Sequence, residues 1–205
     1  MSSWDNLTGF QLDVLKEIGN IGAGNAATSL ASLINKKVGM SIPKAGILHF
    51  QEIFQLVGQE EDRVACVNFH VSGEAPSVIL FIVDEESAFR LLQMLLGGEG
   101  ESQGTLDPIG ESTLKEVGNI LTGSFLTAFS EFTQINFIPS VPAFAFDMLG
   151  AVLSTAFFER GYFEDRALII ETEFYEEDVS INGHFFLVPE VGSLDKIFQA
   201  LGLNV

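Results

Sequence analysis

The sequence is poor in several residue types, and each shortage excludes a class of protein. Cys66 is the only cysteine among 205 residues, so no disulfide can form within the chain and a cytoplasmic location is expected. Lys and Arg number 10 against 28 Asp and Glu, and a net charge of −18 repels nucleic-acid phosphates and anionic lipids. The most apolar region, 142–158, is interrupted by Asp147, whereas a membrane-spanning helix needs about 20 apolar residues. We therefore expect no nucleic-acid partner and no membrane insertion.

Metal and nucleotide sites also lack support in the sequence. His49, His70 and His184 show no ligand-type spacing to one another or to Cys66, so we expect no metal site and no cofactor of the protein's own. Residues 22–27 formally match the dinucleotide fingerprint G-x-G-x-x-A. That fingerprint needs a preceding strand and an acidic residue about 20 positions later, and neither is present. A nucleotide-dependent enzyme is therefore the weakest hypothesis.

The chain contains an internal repeat. Lys16–Ile21 reads KEIGNI and returns at Lys115–Ile120 as KEVGNI, an offset of 99 residues. Later matches, such as Leu96 with Leu201, have an offset of 105, which predicts a six-residue insertion in the second copy, among the acidic residues 171–178. Repetition on this scale indicates that one structural unit occurs twice.

The two copies, at about 8–97 and 107–202, are expected to form a single domain over residues 1–205, with the Gly-rich segment 97–104 as linker. Apolar periodicity predicts a long helix from Thr8 to about residue 35 and a second long helix over 110–130. Strands are predicted at 64–71, 77–83, 143–157, 167–174 and 181–188, and shorter helices at 85–96 and 192–201. The predicted fold class is α+β: a pseudo-symmetric duplicated unit whose halves join into one antiparallel sheet, flanked by the two long helices.

Each long helix carries a polar trio in the same arrangement. An Asp or Ser is followed four residues later by Glu and three residues after that by Asn, which places the three side chains within a sector of roughly 60°. A solvated surface would explain one such trio, but both are followed, 23 residues after the Asn, by a proline. The two sets are Asp13-Glu17-Asn20-Pro43 and Ser112-Glu116-Asn119-Pro142.

This pattern resembles the CheC-type phosphatases of bacterial and archaeal chemotaxis, a family related to CheX and to the flagellar-switch protein FliY. Both sets fit the family pattern without a gap. The resemblance implies hydrolysis of the aspartyl phosphate on a CheY-like response regulator. It implies that the catalytic residues are Glu17, Asn20, Glu116 and Asn119, with each Asn orienting the attacking water and each Glu pairing with a lysine of the regulator.

The resemblance also assigns supporting parts. Asp13 and Ser112 are expected to support the Glu or to contact the partner, and Pro43 and Pro142 to shape the loop that supports each helix. The regulator is expected to supply Mg²⁺.

A second partner is implied as well, a CheD-type receptor deamidase. Residues 146–152 resemble the contact region of CheC proteins, and Asp147, which interrupts this apolar stretch, is the candidate contact residue. The alternative hypothesis is a non-catalytic adaptor that regulates the deamidase or the flagellar switch. Intact Glu and Asn residues in both copies favour the enzyme.

Overall fold

The computed structural model describes residues 8–34, 37–97, 101–102, 105–158, 166–176 and 179–203. The first half comprises helix α1 (Gly9–Ile34), strand β1 (Gly39–His49), helix α2 (Phe50–Val57), strands β2 (Arg63–Gly73) and β3 (Ser77–Asp84), and helix α3 (Glu85–Leu96). After the short strands β4 (Glu101–Ser102) and β5 (Thr105–Leu106), the second half comprises α4 (Pro108–Thr133), β6 (Phe137–Pro139), β7 (Ala143–Met148), α5 (Leu149–Phe158), β8 (Arg166–Glu176), β9 (Val179–Pro189) and α6 (Ser193–Ala200). The order helix, strand, helix, two strands, helix therefore occurs twice.

The strands of both halves form one seven-stranded antiparallel sheet. Its order is β1-β8-β9-β3-β2, and both β6 and β7 then pair with β2. The strands β3 and β9 meet at the centre, as expected for two related halves placed side by side. The outer strands cross over, because β1 of the first half pairs with β8 of the second and β7 of the second pairs with β2 of the first. The predicted α+β fold with a shared antiparallel sheet is confirmed.

Helices cover both faces of the sheet. Buried residues of α1, α3, α4 and α6 form one core with alternate residues of the strands. The helices α2 and α5 cover the opposite face and form a second core with the remaining strand residues. Burial on both faces explains why β3 is apolar almost throughout, with seven of its eight residues buried and only Asp84 partly exposed.

Local capping determines where the helices begin. At α1, the Gln11 amide donates to Thr8 Oγ1 at 3.3 Å and the Thr8 amide donates to Gln11 Oε1 at 2.7 Å, so the start predicted at Thr8 is confirmed. At α4, Asp107 accepts hydrogen bonds of 2.9 Å from two backbone amides. Helix α3 has the predicted bounds, with Asp84 accepting from the Ser87 amide at 2.8 Å and Gly97 ending the helix at φ 68°.

The prediction of strand over 143–157 is wrong in its second part. Strand β7 ends at Met148, and α5 begins at Leu149. Over residues 149–156 of α5 the buried side chains are Leu149, Val152, Leu153 and Ala156, a helical spacing that a uniformly apolar stretch conceals. Strand β1 and helix α2 were not predicted.

Four of the six extra residues of the second half lie before β8. The hairpin of β8 and β9 spans residues 166–189 and is two residues longer than the hairpin of β2 and β3, which spans 63–84, so it accounts for only two of the six. Helix α5 has 10 residues where α2 has 8, and residues 159–165 follow α5 where 58–62 follow α2. The prediction that placed the whole six-residue insertion within 171–178 is therefore wrong.

Candidate active site

Both Glu–Asn pairs lie on exposed faces of the long helices. Glu17 and Asn20 are exposed on α1, while Ile18 between them is buried in the core below the helix. On α4, Glu116 and Asn119 are exposed in the same way. The helical register therefore holds each carboxylate and carboxamide at the surface, because the apolar residues of the same turns anchor the helix to the sheet.

The polar ends of these four side chains have no partner in the part of the chain that the structure describes. Within the described ranges, neither Glu nor either Asn forms a hydrogen bond or an ion pair with another residue. Lys115, next to Glu116, pairs instead with Glu111 one turn earlier. The Glu and Asn side chains therefore retain their full hydrogen-bonding capacity for a ligand.

The first positions of the two trios are chemically different. Asp13 is exposed one turn before Glu17 and, within the part of the chain that the structure describes, has no polar partner. The Ser112 hydroxyl donates to the backbone carbonyl of Pro108 at 2.7 Å. Because this proton is already engaged, Ser112 cannot also donate to Glu116.

A glycine immediately before each Asn determines how closely the helix approaches the sheet. A Cβ added to Gly118 would lie only 2.7 Å from the Cβ of Val67 in β2. At Gly19 the corresponding atom would lie 3.5 Å from Ile170 in β8, which is an ordinary contact. Helix α4 therefore packs closer to the sheet than α1 does, at the turn that carries its Asn.

Another glycine lets the two long helices approach each other. A Cβ on Gly22 of α1 would lie 2.5 Å from a ring carbon of Phe125 in α4 and 3.1 Å from its Cα. The glycine therefore permits a close approach of the two helices that a Cβ would prevent. Gly24 and its repeat partner Gly123 instead have nothing within 4 Å of such an atom.

The two prolines mark interruptions of the outer strands. Pro43 lies within β1, where the register with β8 shifts between Ser41 and Lys44, so the expectation of a loop at this position is wrong. Pro142 lies between β6 and β7. A proline has no N–H to donate, and edge strands and bulges tolerate it for that reason. The neighbouring Ile42 is buried and packs beneath Gly19, which connects the bulge to the turn that carries Asn20.

Asp147 has an exposed side chain near the end of β7. Its Oδ1 accepts a hydrogen bond of 2.8 Å from the Met148 amide. It also lies on the rim of a groove of about 180 Å³ between β7 and α5, which is lined in part by Cys66. Contact of this residue with a deamidase stays a prediction.

Other kinds of site find little support in the structure. Within the described ranges, no group of three or more His, Cys, Asp or Glu side chains could hold a metal ion. Residues 22–24 lie in the middle of α1, not at the strand-to-helix turn that a dinucleotide site requires. Among the helices described, none is long and apolar enough to span a bilayer.

Comparison with known proteins identifies the family. A protein of Bacillus subtilis (strain 168) named CheY-P phosphatase CheC is 33% identical to this chain over 210 residues, with both chains covered completely. The chain belongs to the CheC-like family. The model of this family matches residues 10–47 and 109–145, and each matched segment contains one trio together with its proline.

The chain is also similar to a second curated protein and to solved structures. The flagellar motor switch phosphatase FliY of Bacillus subtilis is 30% identical over 127 residues, which cover 62% of this chain and 33% of that protein. Among solved structures, Thermotoga maritima FliY has a TM-score of 0.73 at 20% identity, with 96% of this chain and 98% of that chain covered. The FliM middle domain from H. pylori has a TM-score of 0.69 at 13% identity, with 95% and 99% covered. These two structural matches confirm the fold.

Proposed function

We propose that this protein hydrolyses the aspartyl phosphate of a CheY-like response regulator at two sites, one on α1 and one on α4. The observation that carries the proposal is the presence of two exposed, repeat-related Glu–Asn pairs whose side chains have no polar partner among the described residues. The chain that bears them is 33% identical over its full length to a protein named CheY-P phosphatase CheC.

The reaction needs little covalent chemistry from this chain. Water attacks the phosphorus, the bond from phosphorus to the aspartate oxygen breaks, and the carboxylate and inorganic phosphate are released. Since an acyl phosphate is already activated, the barrier depends mainly on positioning and charge stabilisation. The side-chain amide of Asn20 or Asn119 both donates and accepts hydrogen bonds, so it can orient the water in line with the phosphorus.

The Glu of each pair has a different part. An ionised carboxylate only accepts hydrogen bonds, so Glu17 and Glu116 bind a cation and are assigned to a lysine of the regulator. This pairing fixes the register in which the phosphoryl group meets the Asn. The regulator supplies Mg²⁺, which neutralises charge on the phosphoryl oxygens.

The test is phosphate release from a CheY-like regulator phosphorylated with acetyl phosphate. The Asn20→Ala and Asn119→Ala double variant is expected to lose about 10²–10³ in rate, since it removes the orienting groups of both sites. Each single variant leaves one Asn in place, so the dephosphorylation rates of the two single variants rank the two sites. Asn25→Ala is the matched control, because Asn25 is exposed on α1 but lies about 140° around the helix from Asn20. If the wild-type protein binds the regulator without accelerating phosphate release, it is the non-catalytic adaptor instead.

The docking role of Glu has a separate readout. Glu17→Gln combined with Glu116→Gln is expected to raise the regulator concentration at half-maximal rate by about tenfold, because a charge-assisted hydrogen bond is lost. The effect should shrink as salt is added, since salt screens the ion pair. An equal rise in the half-maximal concentration at low and high salt would contradict the pairing of Glu with a lysine.

A CheD-type deamidase is proposed as a second partner, at the surface that surrounds Asp147. The exposed carboxylate on the rim of the groove between β7 and α5 supports this placement. Asp147→Lys is expected to abolish co-elution with the deamidase and to leave regulator dephosphorylation within about twofold, because Asp147 lies outside both trios. Unchanged co-elution would place the deamidase elsewhere.

A further inference from the structure

An apolar groove adjoins the candidate site on α4. It has a volume of about 550 Å³ and lies between the end of α1, the end of α3 and the start of α4. Glu116 and Ser112 of the polar trio form part of its wall. The apolar residues that line it are Leu33, Leu95, Leu96, Pro108, Ile109 and Val117.

Two large side chains of this groove are more than half exposed. Leu33 is 57% exposed and Ile109 is 54% exposed. A single exposed aliphatic residue is ordinary on a protein surface, but two that converge on one groove form a patch available to a partner.

The repeat offset of 99 places a second pair beside the other site. It relates Ile109 to Phe10, which is 68% exposed, and Leu33 to Phe132, which is 48% exposed. The helices α1 and α4 run antiparallel, because Gly22 meets Phe125 near their middles while Leu33 and Ile109 share a groove at one end. The opposite end therefore brings Phe10 and Phe132 to the corresponding position, and Phe10 lies about two turns before Glu17 on the same face of α1.

We propose that these two apolar pairs, Ile109 with Leu33 and Phe10 with Phe132, are docking surfaces for the phosphorylated response regulator. This inference rests on the proposed function and specifies how the partner is held. Because Glu116 itself lines the groove, a regulator that brings its phosphoryl group to Glu116 and Asn119 covers the groove as well.

Charge supports an apolar mode of docking. The chain carries a formal charge of −18, and a phosphorylated aspartate is itself an anion. The net charge of this chain therefore gives no long-range attraction to an anionic site on the partner, and the Glu–Lys pairing alone accounts for about tenfold in binding. Burial of aliphatic and aromatic side chains supplies binding energy that does not depend on the charge of the partner.

The experiment isolates one site and separates binding from chemistry. In the Asn20→Ala background only the site on α4 is intact, and Ile109→Ser is expected to raise the regulator concentration at half-maximal rate by about fivefold or more. The maximal rate should stay within about twofold, because Asn119 is unchanged. In the Asn119→Ala background, Phe10→Ser is expected to act likewise on the site of α1.

Ile138→Ser is the matched control. Ile138 is 52% exposed, close to the value of Ile109, and it pairs with Ser72 of β2. That position lies roughly 17 Å along the strand from Val67, which contacts Gly118. Circular dichroism checks that each variant is folded, and Leu33→Ser tests the opposite wall of the groove without altering the first turn of α4.

The outcomes distinguish this inference from the proposed function. If Ile109→Ser and Leu33→Ser behave like Ile138→Ser while Asn119→Ala still abolishes activity, the docking surface is wrong and the phosphatase proposal stands. If the wild type does not dephosphorylate the regulator, the binding affinity for a beryllofluoride-loaded regulator is measured instead. Weaker binding by Ile109→Ser would then support the docking surface, while the phosphatase proposal would be overturned. If sedimentation shows that wild type dimerises and Ile109→Ser does not, the occupant is a second copy of this chain and the inference is overturned.

Discussion

Replacing Gly118 by alanine is expected to destabilise the fold, whereas the same change at its repeat partner Gly19 is expected to stabilise it. Both glycines occupy the same position of the repeat, immediately before an Asn of the candidate site. A Cβ at Gly118 would lie 2.7, 2.8 and 2.9 Å from the Cβ and both Cγ atoms of Val67. At Gly19 the nearest atoms, of Ile170 and Ile42, are 3.5 and 3.7 Å away.

The magnitude follows from two opposing effects. Alanine in place of glycine stabilises a helix interior by about 1 kcal/mol, and overpacking a buried site costs about 1–3 kcal/mol. Val67 cannot rotate away, because its Cβ is fixed to the backbone of β2, which is paired on both sides. The cost at Gly118 therefore falls near the upper end, and the net loss is about 2 kcal/mol. At Gly19 only the gain of about 1 kcal/mol remains, so the two variants differ by about 3 kcal/mol.

The assay is urea unfolding followed by far-ultraviolet circular dichroism. A double-mutant cycle adds Val67→Ala, which removes the two Cγ atoms from the clash. We expect Gly118→Ala with Val67→Ala to be less destabilised than the sum of the single changes. The close packing of α4 against Val67 is refuted if Gly118→Ala is as stable as Gly19→Ala. It is also refuted if the free-energy changes of Gly118→Ala and Val67→Ala are additive.

Three further predictions concern single residues away from the site. Burial lowers the pKa of His184, although Glu171 and Asp84 oppose this shift, so the unfolded chain binds the proton more readily. The free energy of unfolding should therefore fall as pH decreases through the ordinary histidine range. His184→Gln should flatten this part of the plot of unfolding free energy against pH. An unchanged plot would contradict the assignment of the pH dependence to His184. Burial raises the pKa of Cys66 to about 12, so maleimide labelling at pH 8 should be about 10³-fold slower than in urea-unfolded protein, and fast labelling of folded protein would show that the thiol is accessible. Asp107→Ala removes two hydrogen bonds at the start of α4 and should lower the free energy of unfolding by about 1 kcal/mol, whereas no change in the urea midpoint would mean that Pro108 suffices to start the helix.

Local signals in the sequence were sufficient to predict elements whose ends carry capping residues. Helix α3 was predicted with its observed bounds, because Asp84 and Gly97 are a side-chain cap and a left-handed glycine with strong positional preferences. The stretch over 143–157 has no such capping residues, and its apolar residues fit both the period of a helix and the period of a strand. Strand β1 escaped prediction because Pro43 argues against a central strand, while an edge strand with a bulge accommodates it.

Long-range arrangement could not be predicted in the same way. The exchange of outer strands joins segments more than 100 residues apart, such as Lys44 and Glu171, and no local pattern specifies that partner. The Glu–Asn pairs were found because they occur twice at one offset. The groove beside Glu116 was missed because Leu33 and Ile109 are distant in sequence. The same offset relates both residues to exposed phenylalanines, and that signal was available in the repeat.

The crossing of the outer strands has a consequence for how many sites one molecule carries. A single half would leave its β2-type strand without an outer neighbour and its β1-type strand without a partner. Two identical halves could satisfy every one of these pairings between them, as in a domain-swapped homodimer with a twofold axis between the central strands. The covalent link between the halves therefore does not create the sheet. It fixes the stoichiometry at two Glu–Asn pairs per chain, makes assembly independent of protein concentration, and lets the two pairs differ in their surroundings.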